Sequence, residues 1–91
     1  MEKIKQDLKK SFKEKVEKGL PREEALSQTL VEKREFYEKE EFSEAVKEFL
    51  KEIAESYSLE NLTEADPLEA LAEGIYLEYE FLLAKIKKLF S

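Results

Sequence analysis

The sequence predicts an all-α protein, built as a small four-helix bundle. Apolar residues recur at the i, i+3, i+4, i+7 spacing of an amphipathic helix through most of the chain. No segment alternates polar and apolar residues for long enough to indicate a strand. Gly19, Pro21 and Pro67 stand where helices would end or begin. With 91 residues, the chain is expected to form a single helical domain over residues 1–91.

The first two helices are expected at about residues 2–18 and 22–40. Gly19 favours a helix end before it, and Pro21 suits the first turn of the helix that follows. Each segment carries an apolar face at helical spacing, which should pack on the rest of the bundle. We therefore expect these two helices to form a hairpin.

A third helix is expected at about residues 44–57. Counted at 100° per residue, its apolar stripe lies about 160° from the stripe of residues 22–40. This change of phase predicts a break near residues 41–43, with Ser43 as the N-cap of the third helix. The alternative is one long helix whose two halves face different neighbours, as in an intertwined dimer.

The last helix is expected at about residues 67–90, with Asp66 as its N-cap and Pro67 in its first turn. Its apolar residues form one broad stripe, which includes Leu71, Ile75, Leu82 and Ile86, and a second, narrower stripe on the opposite side. The second stripe consists of Ala70, Gly74, Leu77, Phe81 and Ala84. A helix needs only one stripe to pack on its own domain. The second stripe therefore predicts an interface with another chain, with Ala70 and Gly74 allowing close approach. The alternative is a helix enclosed by its own fold.

An internal duplication is a further hypothesis. Residues 21–26 read Pro-Arg-Glu-Glu-Ala-Leu, and residues 67–71 read Pro-Leu-Glu-Ala-Leu. The match is short and consists of residues that are common at helix starts.

The composition excludes most catalytic chemistry. The sequence has no Cys and no His, so it offers no thiol nucleophile, no disulfide, no imidazole base and no ordinary zinc site. It contains neither a glycine-rich phosphate loop nor an Asp-Ser-Leu attachment site, and no motif matches a known family. We expect no enzyme activity and no cofactor.

Three carboxylates on one side of the predicted last helix are weak candidates for metal ligands. Glu69, Glu73 and Glu80 could in principle hold Mg²⁺, Mn²⁺ or Ca²⁺, the ions that all-oxygen sites prefer. A solvated face beside the apolar stripe explains the same pattern. We therefore predict no metal site.

Charge is distributed unevenly along a chain with a net charge of −6. Residues 1–18 hold seven Lys and four acids, whereas residues 38–66 hold ten acids and three Lys. The Lys residues alternate with acids, which is typical of a solvated helix face. Net negative charge disfavours nucleic acid as a partner. The lack of a long uncharged run excludes a membrane span, so neither a membrane partner nor a signal peptide is expected, and the location is expected to be cytoplasmic. Enrichment in Lys and Glu favours a natural thermophilic source. The alternative is a designed sequence, since designed helix surfaces carry the same residues.

The expected function is that of a small, non-enzymatic assembly or adaptor protein that acts through helix–helix self-association. A homodimer that completes the bundle is the expected form. The alternative is an accessory or regulatory subunit that binds a basic protein through the acidic segment 38–66. A third hypothesis is a carboxylate–metal helical bundle.

Overall fold

A computed structural model describes residues 2–59 and 65–90, which form five helices. They are α1 (Glu2–Glu17), α2 (Arg22–Lys33), α3 (Lys39–Tyr57), α4 (Ala65–Gly74) and α5 (Tyr79–Phe90). No strand occurs in these two ranges. The all-α class and the small bundle architecture are confirmed, but the number of helices is five rather than four.

The predicted single helix over residues 67–90 is wrong, because the chain turns between Gly74 and Tyr79. The Leu77 amide donates to the Gly74 carbonyl at 3.1 Å, which closes a tight turn in place of a continuing helix. The predicted N-cap, Asp66, falls within α4, and its side chain lies outside the described part of the structure. The break lies between two helical segments that both face the core.

The break between the second and third helices lies at residues 34–38, not at 41–43. Glu38 rather than Ser43 caps α3: its carboxylate accepts a hydrogen bond from the Glu41 amide at 2.9 Å. The earlier break makes Phe42 part of α3, where it is fully buried and stacks on the Tyr37 ring at 6.1 Å. The predicted change of apolar phase is therefore real, and the alternative of one long helix is wrong.

The four later helices form two helix–turn–helix units, α2–α3 and α4–α5. Their turns are alike: the Glu38 carbonyl accepts from the Phe42 amide and the Glu78 carbonyl from the Leu82 amide. Phe42 and Leu82 are both fully buried. This similarity agrees with the short sequence echo at the start of each unit, and duplication stays a hypothesis.

Helix α2 runs antiparallel to α5 and also contacts α1, while α3 contacts α1 and α4. The two ends of the α2–α5 pair show the direction. At the start of α2, the Arg22 guanidinium carbon lies 4.8 Å from the Phe90 ring centroid and 5.0 Å from that of Tyr57. At the other end of α2, Arg34 bonds to the carbonyl of Leu77, just before α5 begins.

The core is formed by apolar side chains from all five helices. Representative members are Leu8, Leu26, Phe42, Phe49, Leu71, Leu82 and Ile86. Each large side chain that is fully removed from water stabilises the fold by roughly 1.5–3 kcal/mol. The broad stripe predicted in residues 67–90 supplies Leu71, Ile75, Leu82 and Ile86 to this core. That part of the prediction is confirmed.

Ion pairs fix the orientation of α1 on its neighbours. Lys5 and Lys9 both contact the Glu52 carboxylate of α3, at 3.0 and 2.9 Å. Lys15 contacts Glu32 of α2 at 2.6 Å. Part of the basic face of α1 is therefore neutralised within the chain. Because these pairs are partly exposed, each contributes little to stability.

Candidate functional site

The structure distributes the five predicted interface residues over two helices and a turn. Ala70 and Gly74 belong to α4, Leu77 lies in the turn at residues 75–78, and Phe81 and Ala84 belong to α5. Four of the five are exposed, and Gly74 is buried. They do not form one face of a single helix, because that helix is broken.

The role predicted for Gly74, close approach by another backbone, is wrong. Gly74 is the last residue of α4 rather than an interior one. A Cβ atom built there would lie 3.0 Å from Cδ of Lys85. The space beside Gly74 is therefore filled by α5 of the same chain.

Arg34 joins the turn at residues 34–38 to the turn at residues 75–78. Its Nη1 donates to the Ile75 carbonyl at 3.0 Å and to the Leu77 carbonyl at 2.6 Å. These are backbone acceptors left without helical partners where the last helix is interrupted. A second link is made by Lys39, whose Nζ lies 5.1 Å from the Tyr76 ring centroid. The two turns are thereby held side by side at one end of the bundle.

Three large apolar side chains are exposed on or beside these two turns. Phe36 is 74 % exposed, Phe81 59 % and Leu77 39 %. In the part of the chain that the structure describes, these are the large hydrophobic residues left in water. We call this surface, Phe36, Leu77 and Phe81, the turn patch. Since a Phe or Leu side chain presents roughly 150–250 Å² when fully exposed, the patch leaves about 300 Å² of apolar area accessible.

Sequence reasoning identified Leu77 and Phe81 but missed Phe36. The sequence predicts Phe36 inside the second helix, at about residues 22–40, to one side of a face that carries Leu26 and Leu30. Leu26 and Leu30 are buried, and the position of Phe36 off their face is the signal that the sequence offers. The residues around Phe36 do not show that the helix ends at Lys33 and that Phe36 lies in a turn.

Carboxylates neighbour the residues of the turn patch in the sequence. Glu35, Glu78 and Glu80 are exposed, and none of the three forms an ion pair among residues 2–59 and 65–90. Of the nearby cations, Lys33 and Arg34 have partners in the chain, whereas Lys85, which lies beside Gly74, is exposed and has no ion pair within the same ranges. Lys33 contacts Asp7 at 3.2 Å and the Phe36 ring at 5.7 Å, and Arg34 is bonded to the two carbonyls. The rim therefore presents negative charge to an approaching molecule.

A hydrogen-bonded group anchors the first of these turns to α1. The Tyr37 hydroxyl donates to Asp7 Oδ2 at 2.6 Å, and Lys33 Nζ lies 3.2 Å from Oδ1. The bond from Tyr37, and then the contact with Lys33, lower the pKa of Asp7 below its ordinary value. The same bond, together with burial, raises the pKa of Tyr37. This arrangement positions the turn that carries Phe36.

The candidate metal ligands are not brought together. Glu69 and Glu73 line a groove of about 390 Å³ between α3 and α4, where Lys39 and Lys47 are also present. Glu80 is exposed at the start of α5. The described residues contain no group of three side chains that could hold a metal ion. In this groove two carboxylates are accompanied by two cations, which is unfavourable for a bound metal.

Tyr76 lines the same groove and is the most unusual polar group there. Its hydroxyl is buried and has no hydrogen-bond partner among the described residues. Burial, and next the Glu38 carboxylate, raise the pKa of Tyr76, while Arg34 acts in the opposite direction. A raised pKa keeps the phenol protonated, so this group does not serve as a base at neutral pH.

None of the helices within residues 2–59 and 65–90 combines the length and the apolar content needed to cross a bilayer. A comparison of the chain with models of protein families found no match. Comparisons with curated proteins and with solved structures found no significant similarity either.

Proposed function

We propose that this protein is a non-enzymatic assembly or adaptor protein that acts by contact with other proteins, and that the turn patch is its binding surface. The observation that carries the proposal is the placement of three exposed large apolar side chains around two turns that Arg34 ties together. A binding surface that the fold already holds in place loses little conformational entropy when a partner binds. Exposed apolar clusters with a polar rim are typical of interaction sites.

The absence of Cys and His from the sequence supports a role other than catalysis. The cytoplasmic location and the thermophilic source expected from composition stay predictions. No observation favours the carboxylate–metal bundle over a binding role, since the three candidate ligands are dispersed.

A second copy of the chain is the occupant predicted from the sequence. The apolar area of about 300 Å² is well below the roughly 800 Å² per partner of a standard stable interface. The three rim carboxylates would also lie near those of a second copy. We therefore expect self-association through the turn patch to be weak at low salt and stronger when salt screens the carboxylates.

Light scattering coupled to size-exclusion chromatography tests the proposal. The chain is run over a concentration series in low salt and in about 1 M NaCl, where charges are screened beyond roughly 3 Å. We expect a mass close to 10.7 kDa in low salt and a mass that rises with concentration in high salt. The variant carrying Phe36→Ser and Phe81→Ser should remain monomeric in both.

The matched control carries Glu17→Gln and Glu55→Gln, two exposed positions near the opposite end of the bundle. It should behave as the unmodified chain does. Because the two Phe side chains are exposed, their replacement should leave the far-UV circular dichroism unchanged. A mass that stays monomeric at every concentration and salt would contradict self-association, and a mass that rises equally in the Phe variant would contradict the turn patch as the surface that mediates it.

A further inference from the structure

We infer that the partner of the turn patch is a short amphipathic helix of another protein, with two or three apolar anchors flanked by Lys or Arg. This inference rests on the proposed function and deepens it by naming the partner. It is argued from the size of the patch and from the charge around it.

The size of the turn patch matches a helix better than a second globular chain. Two Phe side chains and one Leu expose about 300 Å² together, which is a fraction of what a stable dimer of folded chains buries. A single helix, in contrast, uses a few anchors at i, i+3 or i+4 and i+7 to bind a small apolar surface. Aromatic side chains are effective in such contacts because each one buries a large area.

The charge around the turn patch favours cationic residues beside the apolar anchors of the partner helix. Glu35, Glu78 and Glu80 are exposed and carry no ion pair within the described ranges. Two copies of this surface would bring like charges together, which opposes self-association. Lys or Arg beside the anchors of a partner would instead face these carboxylates.

The local cations do not offset this preference, because carboxylates outnumber them. Residues 33–42 and 73–85 hold seven Glu against four cations, which are Lys33, Arg34, Lys39 and Lys85. Lys33 is engaged by Asp7 and by the Phe36 ring. Arg34 donates to two backbone carbonyls, and Lys39 lies over Tyr76. The net charge of −6 for the whole chain also attracts a basic partner, at longer range.

The test uses three synthetic helical peptides of about 14 residues, with identical Leu anchors on one face. The remaining positions are Lys in the first peptide, Gln in the second and Glu in the third. Binding to the full chain is measured by fluorescence anisotropy of the labelled peptides in low and in high salt. We expect the Lys peptide to bind at least about tenfold more tightly than the Gln peptide, and the Glu peptide to bind most weakly.

Two protein variants show where the Lys peptide binds. The variant with Phe36→Ser and Phe81→Ser should lose binding of the Lys peptide. The variant with Glu78→Gln and Glu80→Gln should weaken it by roughly fivefold in low salt and much less in high salt. The control with Glu17→Gln and Glu55→Gln removes the same charge far from the patch and should change the affinity by less than about twofold.

The outcomes test two statements separately: that the partner is basic, and that the turn patch is the binding surface. Equal binding of all three peptides that is lost in the Phe variant would overturn the basic partner and leave the turn patch as a binding surface. The same holds if no peptide binds and the chain forms dimers that need Phe36 and Phe81. Binding of the Lys peptide that is unchanged in the Phe variant would overturn both statements, and so would a monomer that binds no peptide.

Discussion

Removal of the Arg34 side chain should loosen the joint between the two turns. Arg34 Nη1 donates to the Ile75 carbonyl at 3.0 Å and to the Leu77 carbonyl at 2.6 Å. Both acceptors lie in the turn between α4 and α5. In the Arg34→Ala variant these carbonyls would have to find water instead, and the second turn would lose its attachment to α2.

The magnitude follows from the two hydrogen bonds. A bond to a charged group contributes about 1.5–3 kcal/mol of net stability when it is shielded from water. The bond to Ile75 is partly buried, whereas the bond to Leu77 is exposed and should contribute less. We expect Arg34→Ala to lower the free energy of unfolding by about 2 kcal/mol. Arg34→Lys should recover part of the loss, because an ammonium group lacks the planar fork of the guanidinium.

Urea denaturation followed by far-UV circular dichroism measures the free energy of unfolding. Hydrogen exchange locates the change: the amides of Leu77 and Phe81, which bond within the second turn, should exchange faster in Arg34→Ala. Lys51→Ala is a suitable control, because it removes an exposed cation of α3 that takes no part in the joint and should cost less than about 0.5 kcal/mol. A loss of stability below about 0.5 kcal/mol in Arg34→Ala, with unchanged exchange, would refute the assigned role of Arg34.

Three further changes test the core, the Asp7 group and the end of α4. Phe42→Ala should lower the free energy of unfolding by about 3–5 kcal/mol, measured in urea, because Phe42 is fully buried and stacks on Tyr37. The pKa of Asp7 is lowered in the folded state. The Asp7 carboxylate therefore stabilises the fold fully above its ordinary pKa of 3.8, and this contribution is lost as the pH falls through the lowered pKa. Asp7→Asn should therefore lower the free energy of unfolding by less than about 1 kcal/mol at neutral pH. Thermal melts across pH should show that the variant loses less stability below about pH 4 than the unmodified chain does. An unchanged pH profile would contradict this. Gly74→Ala should leave the mass in solution unchanged and shift the melting temperature only slightly, since the atom it meets belongs to the flexible side chain of Lys85.

The features that depend on local pattern could be predicted from the sequence. The helix at residues 2–17 and the start of the next at Arg22 follow from periodicity and from Gly19 and Pro21. The residues that form the core stripe of the last segment, such as Leu82 and Ile86, were also identified. These features need no knowledge of distant contacts, because the 3.6-residue period by itself places them on the buried side.

The turns inside the two helix–turn–helix units could not be placed from the sequence. The turn at residues 75–78 is bonded by Arg34, which lies some forty residues earlier in the chain. The start of α3 depends on Glu38, a residue type that is uncommon as an N-cap, so Ser43 was the more natural choice. The turn patch follows from both breaks, and for this reason Phe36 was missed and Gly74 was misassigned.

The contact of Arg22 with two rings gives the molecule a spectroscopic reporter at the end opposite the turn patch. The sequence has no Trp, so Tyr dominates its near-UV signal. The Tyr57 ring lies against both the Arg22 guanidinium and the edge of Phe90, an asymmetric environment that should give it a strong near-UV dichroism. Because this contact joins the ends of α3 and α5 to the start of α2, the Tyr57 signal reports the packing of these helix ends. Tyr37, Tyr76 and Tyr79 lie in or beside the two turns and contribute to the same near-UV band, so the Tyr57 ring is followed separately by the NMR signals of its ring protons. Partner binding at the distant turns should leave these signals unchanged, whereas rearrangement of the whole bundle should shift them.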